Sequence, residues 1–294
     1  MNIRTSLILL VVVAIWGLNV VTIRAGAVEM APVTFLTLRF SLTSLLFLPF
    51  IRWPGRRNFR VLFEVGFWMC VVHQGLMYIA MPMIHAGTMS ILLQMQVIFA
   101  TLIGVFFLKE TIGWRSWAGI IMGFIGVAIL MGGPSTEGRL LGFAIGIISA
   151  FFVALSYVRM KALEDIHPPT FIGLINLLSV PFVFVLSLFM DADSWNHLDT
   201  VDWELIAPIL LFQSTVISTT HIIWQKLLTQ NPVSQVVPWV LLMPVFAVLF
   251  AALWLGDPIT LPVVAGGTLT IAGVGIVTLR RIQKGKQAPV DVID

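Results

Sequence analysis

Residues 85–130 read HAGTMSILLQMQVIFATLIGVFFLKETIGWRSWAGIIMGFIGVAIL, and residues 232–277 read PVSQVVPWVLLMPVFAVLFAALWLGDPITLPVVAGGTLTIAGVGIV. Each stretch holds two apolar runs of about 20 residues, the length that spans the hydrocarbon core of a bilayer as a helix. When the first stretch is shifted by 147 positions, ten of the 46 aligned pairs are identical, with no gap. Glu110 falls on Asp257 in this alignment. A pair of membrane helices is therefore repeated within the chain.

The composition of the whole chain agrees with a membrane protein. Of its 294 residues, 59% are hydrophobic and 11% are charged, whereas a soluble domain has about 45–50% apolar and about 25% charged residues. So few charges cannot cover a surface in water, which excludes an ordinary soluble enzyme, a nucleic-acid-binding protein and a disordered chain. The single cysteine, Cys70, lies in an apolar segment and excludes a disulfide framework.

Ten segments of spanning length follow one another, separated by short connections that contain Pro and Gly. The first segment has no clear cleavage site and is interpreted as a retained helix rather than a signal peptide. The predicted helices are 5–27, 33–51, 61–81, 86–107, 113–131, 139–158, 169–190, 204–226, 232–254 and 259–280.

The basic residues predict the orientation of these helices. If the N-terminus is cytoplasmic, 14 of the 17 Lys and Arg residues lie in cytoplasmic segments, and only Arg139 lies in an outer loop. Arg24 and Arg39 remain within helices. Under the positive-inside rule this asymmetry places both termini in the cytoplasm and the acidic loop 191–202 outside. We therefore expect a multi-pass protein of a bacterial inner membrane.

The internal repeat predicts the fold class, an all-α polytopic membrane protein whose ten transmembrane helices form two inverted five-helix repeats. Because five is odd, the two halves must enter the membrane in opposite directions. The predicted units are residues 1–133, residues 138–281 and a cytoplasmic basic tail of residues 282–294. Inverted repeats are a common plan of secondary transporters, with the substrate near the midplane between the halves.

The sequence also resembles a known family. Residues 14–19 read AIWGLN, residues 38–40 read LRF, and the stretch 92–110 is followed by a Gly-rich fifth helix. These stretches resemble the EamA-type, ten-helix members of the drug/metabolite transporter superfamily, and the resemblance covers essentially the whole chain. By appearance the chain is similar to bacterial amino-acid exporters of the YddG type and of the cysteine/O-acetylserine type. The resemblance implies a central cavity between two inverted repeats.

Polar residues inside membrane helices are costly and are therefore candidates for a binding site. On the eighth helix, Ser214, Ser218 and His221 follow one another at intervals of four and three residues, which predicts one helical face beside Trp224. This stripe is interpreted as a cavity wall, and hydrogen bonding between helices is the alternative. His73 lies 148 positions before His221 and is a candidate for the equivalent position in the first repeat.

Two further polar positions, on the second and fourth helices, each allow two interpretations. Arg39 lies about 10 Å into the second helix and could bind a substrate carboxylate or serve a structural role. Gln94 and Gln96 point in opposite directions, and Gln94 is preferred as the cavity residue. The full set of predicted substrate-binding residues is Trp16, Asn19, Arg39, His73, Tyr78, Gln94, Phe99, Ser149, Ser156, Tyr157, Ser214, Ser218, His221, Trp224 and Trp239.

The sequence lacks the common motifs for nucleotide binding, metal binding and nucleophilic catalysis. The sequence has no Gly-x-x-x-x-Gly-Lys loop, no His-Glu-x-x-His motif and no Gly-x-Ser-x-Gly motif. We therefore expect no cofactor, no metal and no catalytic residue. No carboxylate lies deep in a predicted helix, which argues against export of cationic drugs and leaves the histidines as the proton carriers if transport is proton-coupled.

The sequence thus predicts a secondary transporter, not an enzyme, that exports small metabolites by alternating access. Aromatic or apolar amino acids are the expected substrates, with a drug, a nucleoside or a sugar derivative as alternative cargo. An intramembrane lipid-modifying enzyme is a second alternative, supported only by the spacing of the aspartates in loop 191–202. The expected partners are the substrate and the lipid bilayer, without nucleic acid. The chain is expected to be a monomer or a weak homodimer, because the glycines of the fifth and tenth helices could join these helices to each other or to another subunit.

Overall fold

The computed structural model describes residues 3–107, 109–132 and 139–287. In this part of the chain, ten helices are long and apolar enough to cross a membrane. They are α1 (Ile3–Glu29), α2 (Pro32–Phe50), α3 (Gly55–Ala80), α4 (Ala86–Phe107), α5 (Trp114–Met131), α6 (Leu140–Met160), α7 (Pro168–Met190), α8 (Trp203–Gln230), α9 (Val237–Leu255) and α10 (Leu261–Gln287). The predicted all-helical class and the count of ten helices are confirmed.

Two helices extend six or seven residues beyond their predicted bounds, both into basic sequence. α3 begins at Gly55, six residues before the predicted start, because residues 55–66 are amphipathic: Val61, Leu62 and Val65 are buried while the arginines of this segment are exposed. α10 continues to Gln287 and so includes part of the predicted tail of residues 282–294. Residues 133–138, which hold the predicted junction of the two units, and residues 288–294 lie outside the described residues.

The helices pack in pairs that repeat between the two halves. α1 packs along α9, and α4 packs along α6. α3 contacts α6 and α7, and α8 contacts α1 and α2. When five is added to or subtracted from both helix numbers of a contact, the result is another contact of this set. Three pairs convert into themselves, namely α2 with α7, α4 with α9, and α5 with α10. This exchange is what a two-fold arrangement of five-helix repeats requires.

The pair α5–α10 shows the relative direction of the halves. A Cβ added at Gly119 would lie 2.7 Å from the carbonyl O of Gly273, and one added at Gly126 would lie 2.6 Å from that of Gly266. The early glycine of α5 therefore meets the late glycine of α10, so these two equivalent helices run antiparallel, as inverted repeats require. The close approach also shows that these glycines join the two helices to each other.

Short π-helical segments occur in both α3 and α8. They comprise Phe67–Gln74 and Phe212–Ile217, and they lie in helices that occupy equivalent positions in the two halves. A π segment adds a residue to a helical turn and rotates every later side chain relative to the earlier ones. It therefore alters which residues share a face, which the regular spacing of Ser214, Ser218 and His221 did not anticipate.

The loop 191–202 is folded against the α1–α2 turn. One carboxylate oxygen of Asp191 accepts hydrogen bonds from the backbone N–H groups of Val33 and Thr34 at 2.7 and 3.1 Å, and Asp202 caps the first turn of α8. Among the described residues no group of three or more His, Cys, Asp or Glu side chains is placed to hold a metal ion. Two of the aspartates in this loop thus cap helices.

Candidate functional site

A hydrogen-bonded network of side chains crosses the middle of the helix bundle. Arg39 on α2 donates to Oε1 of Gln74 and, at 2.9 Å, to the hydroxyl oxygen of Tyr78, both on α3. The Tyr78 hydroxyl donates to Oε1 of Gln213 on α8 at 2.9 Å. Gln213 in turn donates through Nε2 to the hydroxyl of Thr22 on α1 at 3.1 Å. The network therefore ties three helices of the first half to α8 of the second.

Three buried polar atoms of the predicted site residues have no partner among the described residues, two of them in this network or beside it. Nε of Arg39 and Oδ1 of Asn19 are buried without a hydrogen bond among the described residues. Asn19 lies next to the network because its backbone carbonyl accepts a hydrogen bond from the Thr22 hydroxyl at 2.8 Å. Oε1 of Gln94 is also buried and unpaired, although its Nε2 donates to the Val240 carbonyl at 3.4 Å. Unpaired buried groups are costly and require an explanation, of which a bound ligand is one.

There is also open space beside the network. Gly75 is buried, yet a Cβ added there would have no neighbouring atom within 4 Å. Gly75 follows Gln74 directly, so the open space borders the residue that accepts the hydrogen bond from Arg39. The network thus lies beside unfilled volume.

An aromatic cluster joins α1 to α8. The ring of Trp16 lies 4.9 Å from the ring of His221 and 5.0 Å from that of Trp224, measured between centroids. Nε1 of Trp16 donates to the hydroxyl of Thr220 at 2.9 Å. Nδ1 of His221 donates to the Ile217 carbonyl at 2.8 Å, so Nε2 of the neutral ring is left as an acceptor. The His221 side chain is exposed, and this cluster can offer a ligand both an aromatic surface and one acceptor.

His73 occupies a more enclosed environment. Its Nδ1 lies 3.0 Å from the carbonyl O and 2.8 Å from Oγ of Ser149 on α6. Oγ of Ser149 donates to the His73 carbonyl at 2.9 Å. The two residues therefore bond each other in both directions and join α3 to α6. His221 lies at the equivalent contact of the second half, between α8 and α1, but has no such reciprocal partner.

The predicted stripe on α8 is divided between environments. Ser214 and Ser218 are buried, whereas His221 is exposed. Oγ of Ser214 donates to the carbonyl of Arg39 at 3.4 Å, which places this serine against the network. The π segment ends at Ile217 and rotates Ser218 and His221 together relative to Ser214, so the division between Ser218 and His221 falls within the regular helix that follows it.

The remaining predicted residues lie apart from the network. Phe99 packs edge-on against Phe124 and Phe151. Ser156 is buried and donates to the Val153 carbonyl of its own helix, and Tyr157 is exposed. Trp239 packs with a small apolar cluster of Leu9, Leu227 and Val236, together with Trp224.

The predicted set lacks three members of the network, Thr22, Gln74 and Gln213. Gln74 directly follows His73, Gln213 directly precedes Ser214, and Thr22 lies one turn after Asn19. Each is an intramembrane polar residue close to a predicted one. The cost of burying polar groups in a membrane helix is therefore a signal that could have identified all three.

A second polar cluster lies at the ends of the helices that the charge pattern places outside. Arg24, near the end of α1, pairs with Asp257 in the turn after α9. His85, just before α4, lies with Nδ1 2.8 Å from Oδ1 of Asp257, and its Nε2 is 2.7 Å from a guanidinium nitrogen of Arg139. Because arginine can only donate, Nε2 accepts and Nδ1 carries the proton donated to Asp257. Asp257 also accepts the backbone N–H of Ala86 at 3.1 Å. This cluster joins the two halves of the chain at these helix ends.

Comparisons with known proteins agree with this architecture. The sequence model of the EamA-like transporter family matches residues 3–132 and, a second time, residues 140–279. A protein of Salmonella typhimurium named probable amino-acid metabolite efflux pump is 29% identical over 286 residues, covering 94% of this chain and 95% of its own. Its namesake in Escherichia coli is 28% identical over 288 residues, with the same coverage.

One solved structure also matches the fold. A chain of known crystal structure superposes with a TM-score of 0.63 at 14% sequence identity, covering 95% of this chain and 98% of its own. At this identity the likeness supports the arrangement of helices alone.

Proposed function

Because the chain belongs to the EamA-like transporter family, and so is a multi-pass membrane transporter, we propose that it exports zwitterionic amino acids with aromatic or apolar side chains. The observation that carries the proposal is the set of unpaired buried atoms at the network. Nε–H of the positively charged Arg39 side chain is a free hydrogen-bond donor, and Oδ1 of Asn19 is a free hydrogen-bond acceptor. An amino acid supplies a carboxylate for the first and an ammonium for the second.

The Arg39 side chain is well prepared for a carboxylate. Gln74 and Tyr78 accept hydrogen bonds from its Nη1 and so fix the plane of the guanidinium while leaving Nε free. A charge-assisted hydrogen bond from arginine to a carboxylate is stronger than one between neutral groups, and more so away from water. In this proposal the ammonium group is held by Asn19, with Gln94 Oε1 as a second acceptor.

The aromatic cluster supplies the apolar part of the site. Trp16 lies three residues before Asn19, one turn along α1, so a ligand bound at Asn19 has the rings of Trp16 and His221 within reach. These rings favour aromatic or large apolar side chains. The names of the Salmonella typhimurium and Escherichia coli relatives support the same substrate class.

The charge pattern supports the direction of the transport path. With both termini cytoplasmic, the cluster around Asp257 lies outside and closes that side, so the substrate enters from the cytoplasm. Two halves that rock about the network would then release it outside. The described helices bring no carboxylate into the network, which favours a neutral zwitterion over a cation.

The test is transport by the purified protein in proteoliposomes loaded with labelled phenylalanine. Arg39→Gln should raise the KM for phenylalanine about tenfold to a hundredfold, because a hydrogen bond to a charged group contributes ~1.5–3 kcal/mol. Arg39→Lys, which keeps the charge but lacks Nε, should give an intermediate KM. Arg52→Gln is the matched control, since Arg52 is exposed and lies two residues after the end of α2. An unchanged KM in Arg39→Gln would remove the carboxylate contact.

A further inference from the structure

We infer that Asp257 and Glu110 are equivalent carboxylates that hold the two sides of the bundle closed in turn, each through an ion pair with a basic residue. The outer ion pair is Asp257 with Arg24, and the inner ion pair is Glu110 with Lys161. The inference rests on the proposed function in that it assigns alternating access to the chain. It adds positioning residues that lie away from the substrate network.

The two carboxylates occupy the same local structure. They are 147 positions apart, the shift that aligns the repeated segments. Each follows a residue in the left-handed conformation, Lys109 with φ 56° and Gly256 with φ 67°. The backbone N–H of Glu110 donates to the Gly104 carbonyl at 3.0 Å, and that of Asp257 donates to the Ala251 carbonyl at 3.2 Å. Both bonds run six residues back, so the chain places the two carboxylates in the same way after α4 and after α9.

Their cationic partners lie near the ends of corresponding helices. Arg24 lies near the end of α1, and Lys161 directly follows α6, which is the corresponding helix of the second half. Each ion pair therefore joins the end of the first helix of one half to the end of the fourth helix of the other. Because the halves are inverted, the two pairs lie on opposite sides of the membrane.

The two ion pairs differ in tightness in this structure. The side chains of Arg24 and Asp257 are 19% and 9% exposed and are in direct contact. Those of Lys161 and Glu110 are 55% and 39% exposed, with Nζ and Oε1 3.7 Å apart. Since exposed ion pairs contribute little and enclosed ones are costly to break, the outer pair holds its side closed here. Inversion of the repeats predicts a second state in which the inner pair is the enclosed one.

The outer pair has additional support that fixes its position. Asp257 accepts hydrogen bonds from His85 and from the backbone of Ala86, so its carboxylate is held at the start of α4. Arg139 donates to the far nitrogen of His85 and brings α6 into the same cluster. Removal of the Asp257 charge would therefore weaken the contacts of the turn after α9 with α1 and with the start of α4 together.

The experiment follows the labelling of one cysteine from outside. Thr88 is 6% exposed and lines a small pocket of about 10 Å³ together with His85 and Asp257, so its side chain is shielded in this structure. Thr88→Cys is introduced into Cys70→Ala, and a membrane-impermeant maleimide is added to right-side-out vesicles without substrate. Asp257→Asn should raise the labelling rate about tenfold. Arg24→Gln should act in the same direction, which gives a second variant should one of them fail to fold.

Glu110→Gln is the decisive comparison. The inner ion pair holds the inner side closed when the outer side is open, so its loss weakens only the state that is open to the outside. The same labelling rate should therefore fall by about twofold. Arg57→Gln is the matched control: it breaks the exposed ion pair with Glu164, and the rate should not change. Unchanged labelling in both outer variants, or a shift in the same direction in Glu110→Gln, would overturn the inference. The labelling is measured without substrate and so does not depend on the proposed substrate. If the labelling rate shifts in opposite directions in the outer and inner variants but the protein transports no amino acid, the proposed substrate is refuted and the inference about the two ion pairs stands.

Discussion

At the scale of single residues, the two intramembrane histidines have different surroundings. His73 and Ser149 bond each other in both directions across α3 and α6. His221 bonds only its own helix through Nδ1 and presents its ring beside Trp16. The sequence shift between them suggests similar roles, whereas these contacts suggest a structural role for His73 and a binding role for His221.

We therefore expect His73→Ala to lower the thermal stability of the protein, because it removes the Nδ1 contacts with the buried carbonyl and hydroxyl oxygens of Ser149, at a cost of ~1–3 kcal/mol. Transport per folded molecule should change little. The measurement is the melting temperature in detergent, with the efflux rate normalised to folded protein.

His221→Ala should have the opposite effect. The melting temperature should stay close to that of the native protein, and the efflux of phenylalanine should fall about tenfold if the ring contributes ~1.4 kcal/mol of binding. Ile223→Ala is the matched control, since Ile223 is an exposed apolar residue of the same helix. Full efflux in His221→Ala would place the aromatic cluster outside the site.

Residue types were easier to predict than their partners. Intramembrane polar residues could be listed from the sequence because each is costly in lipid. Arg24 was noticed as a charged residue in a helix, but its partner Asp257 lies 233 positions away in a turn, and no local pattern connects them. Contacts of this kind follow only from the packing of the two halves.

At the scale of helices, the glycines of α5 and α10 explain their close packing. Gly126 lies so near Gly266 that an added Cβ would come within 2.6 Å of its carbonyl oxygen. Gly126→Val should therefore force the helices apart and destabilise the protein by ~1–3 kcal/mol, the usual cost of overpacking. Gly113→Ala is the control, because a Cβ there meets no atom within 4 Å. Equal melting temperatures for the two variants would contradict this account of the interface.

The π segments show where sequence periodicity fails. The bounds of α4 agree with the predicted 86–107 because its apolar run ends at charged residues. The face of α8 did not follow regular spacing, since Phe212–Ile217 rotates the side chains that follow it. A π segment depends on the packing of the helix against its neighbours, which hydropathy does not record.

At the scale of the whole molecule, the fold was predictable because lipid permits few alternatives. Runs of spanning length must be helices, and basic residues bias their orientation. Reporter fusions at Arg57 and at Asp193 should therefore report opposite sides, with Arg57 cytoplasmic. The same side for both fusions would contradict the topology and, with it, the inverted repeat.

The measurement that tests the central claim most directly is efflux from proteoliposomes loaded either with labelled phenylalanine or with ethidium. Phenylalanine carries the carboxylate that Arg39 is proposed to bind, whereas ethidium is a lipophilic cation with an aromatic surface and no carboxylate. The account predicts rapid, saturable efflux of phenylalanine and little efflux of ethidium. Strong ethidium efflux without transport of any amino acid would contradict it.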